Sequence, residues 1–194
     1  MILVAAGDSF VWGSELADSP HGGHNGYSRS TFTAILAGDN YVCAGYPGIS
    51  NYEIAQRAKE QLHQGEPKSV IVCWTWPGRD TLYTSPRVIL EFQNHCGYYN
   101  IPYLFTCVDN CLIELLDPQT NWDNWYMFPP GKESHETLQS RGFYQWAIEN
   151  KYSIGADGHP LEDAHRDAAE LLRSRFNELV EKYNKSYQIR NSIS

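Results

Sequence analysis

Two short stretches near opposite ends of the chain carry the residue types of covalent acyl chemistry. An apolar run over residues 2–6 leads directly into Gly7-Asp8-Ser9-Phe10, and Asp157-Gly158-His159-Pro160 stands close to the other end. A serine hydroxyl is a poor nucleophile near neutral pH and needs a base to take its proton. A histidine can be that base, and a carboxylate on its second ring nitrogen fixes the tautomer that does the work. Taken alone, Gly-Asp-Ser is a common tripeptide, and Asp or Ser after a strand is a frequent helix N-cap. Position adds weight: the tripeptide follows the first apolar run directly, and the Asp/His pair immediately precedes the last helical pattern.

The elements that must position these residues follow from periodicity. Short apolar runs alternate with helical patterns. Residues 2–6, Tyr41-Val42-Cys43-Ala44, Ser69 to Trp74 and Pro102 to Val108 read as four strands. Between them, residues 29–37 read as a helix ending near Gly38. A second helix capped by Ser50 or Asn51 carries Ile54, Ala55, Ala58 and Leu62 on one stripe, and a third spans 86–99 with Pro86 in its first turn. A short helix (111–116), a long loop from Asp117 to Lys132 and two helices, 134–149 and 161–184, complete the chain. Strands separated by helices argue for a parallel sheet covered on both faces, whose ligands gather outside the carboxyl ends of the strands. Gly7-Asp8-Ser9, the Gly45–Asn51 turn, Thr75–Asp80 and Asp109 all follow predicted strands and should meet on one rim. The expected layout is one domain over residues 1–185 with a polar tail over 186–194. No strand run is evident between Asn110 and Gly155, so the sheet has four strands or an irregular fifth.

At 194 residues the chain can bury a full core as one domain. A formal net charge of -8 and the lack of a Lys/Arg stripe argue against a nucleic-acid partner. No segment approaches the roughly 20 apolar residues that span a bilayer. The first residues lack the basic flank of a signal peptide, so a cytoplasmic or otherwise soluble protein is expected. The five cysteines, Cys43, Cys73, Cys96, Cys107 and Cys111, are odd in number and read as reduced thiols. Cys107 and Cys111 make half of a zinc set that nothing completes, and His21 and His24 read as loop residues, so no metal is expected.

The order of these blocks resembles the SGNH hydrolase superfamily, the GDSL-type esterases and lipases. Gly7-Asp8-Ser9 is similar to the family's nucleophile block. Gly45-Tyr46-Pro47-Gly48-Ile49-Ser50-Asn51 is similar to its second block, and Asp157-Gly158-His159-Pro160 to its last. The resemblance implies a three-layer α/β/α, flavodoxin-like sheet of order 2-1-3-4-5 and a cofactor-free serine esterase. Ser9 would be the nucleophile, His159 the base and Asp157 its orienter, with Asp163 as the rival orienter. The backbone N–H groups of Ser9 and Gly48 would hold the oxyanion. The third block departs from the family, since Trp74-Thr75-Trp76-Pro77-Gly78-Arg79-Asp80 has no Asn to complete the oxyanion hole. Asn51 and Thr75 are neutral substitutes and Arg79 a charged one. The last block departs too, with Asp157 two residues before His159 where the family has three.

Three further features complete the expectations. His165, on the last helix, reads as a packed or exposed helix residue. Arg79 either pairs with Asp80 or binds substrate. Trp122 and Trp125 lie in an aromatic-rich loop that either stacks on a sugar, which would suit a short acyl ester of a glycan, or buries its own rings. The expected partner is a small-molecule or glycan ester. The rival readings are a glycan-binding or assembly protein with a decayed site, and an acyltransferase using the same Ser9.

Overall fold

The computed structural model describes residues 1–19, 26–64, 68–80, 84–116, 118–131 and 140–193. Its centre is a four-stranded parallel sheet of β1 (Ile2–Gly7), β2 (Tyr41–Cys43), β3 (Lys68–Trp74) and β4 (Tyr103–Cys107), in the order β2-β1-β3-β4. Strands buried on both faces read as unbroken apolar runs, and alternate residues serve opposite layers. Leu3, Ala5, Ile71, Cys73 and Leu104 face one layer, while Val4, Ala6, Val70, Val72, Trp74 and Phe105 face the other. The first layer is built from α1 (Ser9–Trp12), α2 (Phe32–Ala37), α5 (Phe143–Glu149) and α6 (Glu162–Ile193); the second from α3 (Asn51–Leu62) and α4 (Thr84–Tyr98). This is the three-layer α/β/α class that the alternating pattern implies.

Local chemistry sets where the elements begin. Ser50 Oγ accepts the Glu53 N–H at 3.3 Å while Glu53 Oε2 accepts the Ser50 N–H at 2.9 Å, a reciprocal cap that starts α3 and leaves Ile54, Ala55, Ala58 and Leu62 against the sheet. Of the two expected layouts the sheet takes the four-stranded one, and beyond β4 there is a single parallel bridge, Phe105 to Trp125, in which Tyr126 N–H donates to Phe105 O at 2.7 Å. The helix expected from residue 134 is seen from Phe143, because Arg141 is bridged to Phe128 and residues 132–139 lie outside the described set. Past residue 185, where the sequence turns polar, α6 continues as helix to Ile193. Among the described residues no helix is long and apolar enough to cross a membrane.

His165 ties α6 to α2 within the first layer. Fully buried, it stacks on Phe32 and accepts the Phe32 N–H on Nδ1 at 3.1 Å, while the Pro160 carbonyl bonds its ring from the other side. Burial, then the neighbouring His159, push its pKa down to about 3. Unfolded, the ring takes up a proton near pH 6.5, so between about 6.5 and 3 the unfolded chain binds more protons and stability falls as pH falls. Replacing His165 by Gln should flatten the acid limb of the stability curve in that window, by several kcal/mol at its foot, as read by urea unfolding at stepped pH.

Candidate active site

The carboxyl ends of β1, β3 and β4 finish level, with Gly7 paired to Cys73 and Trp74 to Cys107, so the segments after them share one rim. Asp8 caps α1, its Oδ1 accepting the Phe10 N–H at 3.1 Å, and the single turn that follows presents Ser9. Ser9 and His159 meet there: Ser9 Oγ lies 2.8 Å from His159 Nε2. On the other side of the ring, His159 Nδ1 lies 2.8 Å from a carboxylate, Oε2 of Glu15. An ionised carboxylate only accepts, so Nδ1 carries the hydrogen and Nε2 presents its lone pair to the Ser9 O–H.

Glu15 occupies the place the sequence suggests for Asp157 or Asp163. The reason is backbone shape. An extended 157–159 segment would put Asp157 and His159 on one face, but residues 156–158 form a turn, with Gly158 at φ +90°. In that turn the Asp157 N–H, not its carboxylate, enters the network, donating to Glu15 Oε1 at 2.8 Å. Asp163 is spent on Arg166 at 2.7 Å on the exposed face of α6. Glu15 also accepts the His159 N–H at 3.1 Å, so one carboxylate holds both the ring and the backbone of the histidine segment. Partial burial raises its pKa, but the Asp157 N–H and then the His159 side chain and N–H outweigh that, and the net shift is downward. The carboxyl therefore remains ionised well into acid.

The histidine segment is a closed loop. Ile154 bridges Pro160, Gly155 N–H donates to His159 O at 2.8 Å, and Leu161 N–H to Ser153 O at 3.0 Å. The start of α6 reaches back to the Glu15 side, Glu162 Oε1 accepting the Ala17 N–H at 2.6 Å. Gly155 makes room for the carboxylate: a Cβ there would stand 2.5 Å from Glu15 Cδ and Oε1. A Gly155→Ala variant must displace Glu15, and turnover of any reaction that uses this chain should fall by a factor on the order of 10², the scale of a misplacement of about 1 Å. A steady-state assay of the folded variant checks it.

The cavity over Ser9 measures about 480 Å³ and is lined by Ser9, Pro47, Gly48, Arg79, Asp157 and His159, with an aromatic wall of Phe10, Trp76 and Tyr144. Phe10 packs on the His159 ring at 5.1 Å between centroids and on Trp76 at 5.5 Å. Trp76 is held in turn by its indole N–H on Asp109 Oδ2, 2.8 Å away. Gly48 sits at φ +79°, a conformation that residues with a side chain rarely adopt, and its N–H has no partner among the described residues. Ser9, first residue of α1, has no intrahelical acceptor for its own N–H.

Asn51 and Thr75 are on the rim but turned inward. Asn51 Nδ2 donates to Thr75 O at 3.1 Å and to Ser85 Oγ at 3.0 Å, and its Oδ1 accepts the Thr75 N–H at 2.8 Å. Both amide hydrogens are spent, which leaves none for an oxyanion. Thr75 Oγ donates to Asp8 Oδ2 at 2.6 Å and is fully buried. Asn51→Ala would strip partners from a buried N–H and C=O, and should cost about 1–3 kcal/mol in urea unfolding. Arg79 does line the cavity, and its partner is Asp8, at 3.1 Å, rather than Asp80, which accepts from Ser85. Burial raises the Asp8 pKa, against the downward pull of the Thr75 hydrogen bond, the Arg79 charge and the Phe10 N–H.

Trp122 and Trp125 do not line this cavity. Trp125 is buried against Phe105 at the sheet edge, and the half-exposed Trp122 packs on it at 5.4 Å. His21 and His24 lie outside the described residues. Among the described residues, no group of three or more His, Cys, Asp or Glu side chains could hold a metal ion, and all five cysteines are free.

Glu15, Trp76 and Tyr144 are site residues that sequence reasoning did not place in these roles. A search for every acid within a few residues of Ser9 would have raised Glu15 as a candidate.

Among solved structures, the chain is similar to a candidate lipolytic protein of the G-D-S-L family from Desulfitobacterium hafniense DCB-2. Sequence identity is 14% and the TM-score 0.44, over 77% of this chain and 95% of that one. No protein-family model and no curated protein matches the chain.

Proposed function

We propose that the protein is a serine-dependent ester hydrolase with Ser9 as nucleophile, His159 as general base and acid, and Glu15 as the group that orients His159. The observation that carries this reading is the unbroken hydrogen-bonded chain from Ser9 Oγ through both ring nitrogens of His159 to Glu15. As Oγ attacks an ester carbonyl, Nε2 takes its proton, and the imidazolium is stabilised by the ionised Glu15. The N–H groups of Ser9 and Gly48, without a hydrogen-bond partner among the described residues, are the candidate donors to the tetrahedral oxyanion, within a site whose donors are fixed before reaction. Collapse breaks the ester C–O bond, and the leaving alcohol takes the proton from Nε2. Water, deprotonated by the same nitrogen, then attacks the acyl-Ser9 ester and releases the acid and free Ser9. Nothing in this sequence of steps calls for a cofactor.

The substrate reading stops at an ester small enough for a cavity of about 480 Å³. A sugar-stacking role for Trp122 and Trp125 has no place here, because that pair packs at the sheet edge. The test is exposure to a fluorophosphonate probe. Covalent labelling that disappears in Ser9→Ala supports an activated nucleophile. A folded protein that never labels removes the hydrolase reading and leaves the binding one.

A further inference from the structure

Among the cavity-lining residues, Arg79 carries the fixed positive charge, and the structure holds it more firmly than its role beside Asp8 requires. Its Nη1 is 3.1 Å from Asp8 Oδ2 and 3.3 Å from the Ile49 carbonyl, and its Cζ lies 5.4 Å from the centre of the Trp76 ring. Trp76 is itself pinned by Asp109. Two anchors on Nη1 and the indole ring near Cζ restrain the guanidinium. Nη2 and Nε have no partner among the described residues, and the side chain keeps 29% of its surface accessible. Asp8 already receives the Phe10 N–H and the Thr75 hydroxyl, so an arginine is not needed merely to supply it with a donor. A guanidinium edge bearing Nη2 and Nε is a fork that matches the two oxygens of a single carboxylate. Asp8 is the chain neighbour of Ser9, and Arg79 and Ser9 line the same cavity.

We propose that Arg79 is a substrate-recognition residue, and that the ester accepted at this site carries a second group, a carboxylate, bound by the open edge of the guanidinium. A monoanionic group is favoured over a dianionic phosphate, because Asp157 is among the residues that line the cavity and the chain is negative overall. The proposal rests on the reading of Ser9 as nucleophile, and the test separates the two.

The probes are 4-acetoxybenzoate and its neutral methyl ester, methyl 4-acetoxybenzoate, each rate being divided by that probe's hydrolysis by hydroxide. The unmodified protein should prefer the anion by about 10- to 100-fold in kcat/KM, the scale of a charge-assisted hydrogen-bonded pair. Arg79→Gln should bring the ratio to near one, and Arg79→Lys, which keeps the charge and loses the fork, should leave an intermediate ratio. A ratio that survives Arg79→Gln overturns the proposal and leaves Arg79 as a counter-charge for Asp8. Calorimetry on Ser9→Ala reads the preference without turnover. Tighter binding of the anion that vanishes in Ser9→Ala/Arg79→Gln supports the proposal even if Ser9 proves inert, and equal affinity for both probes overturns it.

Discussion

Ser9→Ala and His159→Ala should each abolish ester turnover almost completely, by a similar factor of about 10⁶ in kcat, because nucleophile and base act as one unit. The double variant should be hardly slower than either single one. The contact behind this is short and direct, Oγ to Nε2 at 2.8 Å, with Phe10 packed on the imidazole so that the ring has little freedom to turn away. Steady-state kinetics on a short-chain phenyl ester, with the fold checked by circular dichroism, measure it. A His159→Ala variant that keeps most of its activity would show that another group deprotonates Ser9.

The second large effect distinguishes Glu15, which sequence reasoning did not raise, from Asp157, the orienter it named. Glu15→Gln keeps the shape of the side chain but turns one oxygen into a donor. His159 would then favour the tautomer with its hydrogen on Nε2, facing Ser9, and kcat should fall by about 10⁴, the scale of the equivalent change in an Asp-oriented triad. Asp157→Ala should cost only a small factor, since that residue contributes its backbone N–H, which alanine retains. The reverse ranking would reinstate Asp157. The downward shift of the Glu15 carboxyl adds a pH signature. A lowered folded-state pKa gives stability that is present above about pH 4.5 and is lost as pH falls through the folded value. The acid limb of unfolding should therefore soften in Glu15→Gln.

What could be read in the sequence divides along a physical line. The strands β1 and β3, the cap of α3 and the rim location of Ser9, Gly48 and Arg79 depend on local patterns: continuous apolar runs, a Ser-x-x-Glu box, turns directly after strands. The meeting of Ser9 with His159 follows from where those strands end. The identity of the orienting acid does not, because it depends on two unusual backbone conformations. Glu15 sits at φ +68°, uncommon for a residue with a side chain, and the turn at Gly158 swings Asp157 off the face of His159. Asn51 illustrates a different blindness. Its residue type fits an oxyanion donor, but whether an amide is free or spent depends on what Thr75 and Ser85 bring to it from elsewhere in the chain. The aromatic loop, left open between sugar stacking and self-burial, takes the second course for a related reason: β4 is the edge of the sheet, and it recruits Trp125.

Ser9 and Glu15, the proposed nucleophile and orienting acid, ride on one short segment at the front of the polypeptide, whereas the imidazole arrives from residue 159. During synthesis, a nascent chain still lacking its final stretch would carry a serine and a carboxylate with no base between them. It would be chemically silent until the ribosome had released the imidazole and α6 had docked. The same arrangement makes the chemistry divisible: a front fragment carrying Ser9 and Glu15 and a back fragment carrying His159, each inert, would regain reactivity only on reassembly.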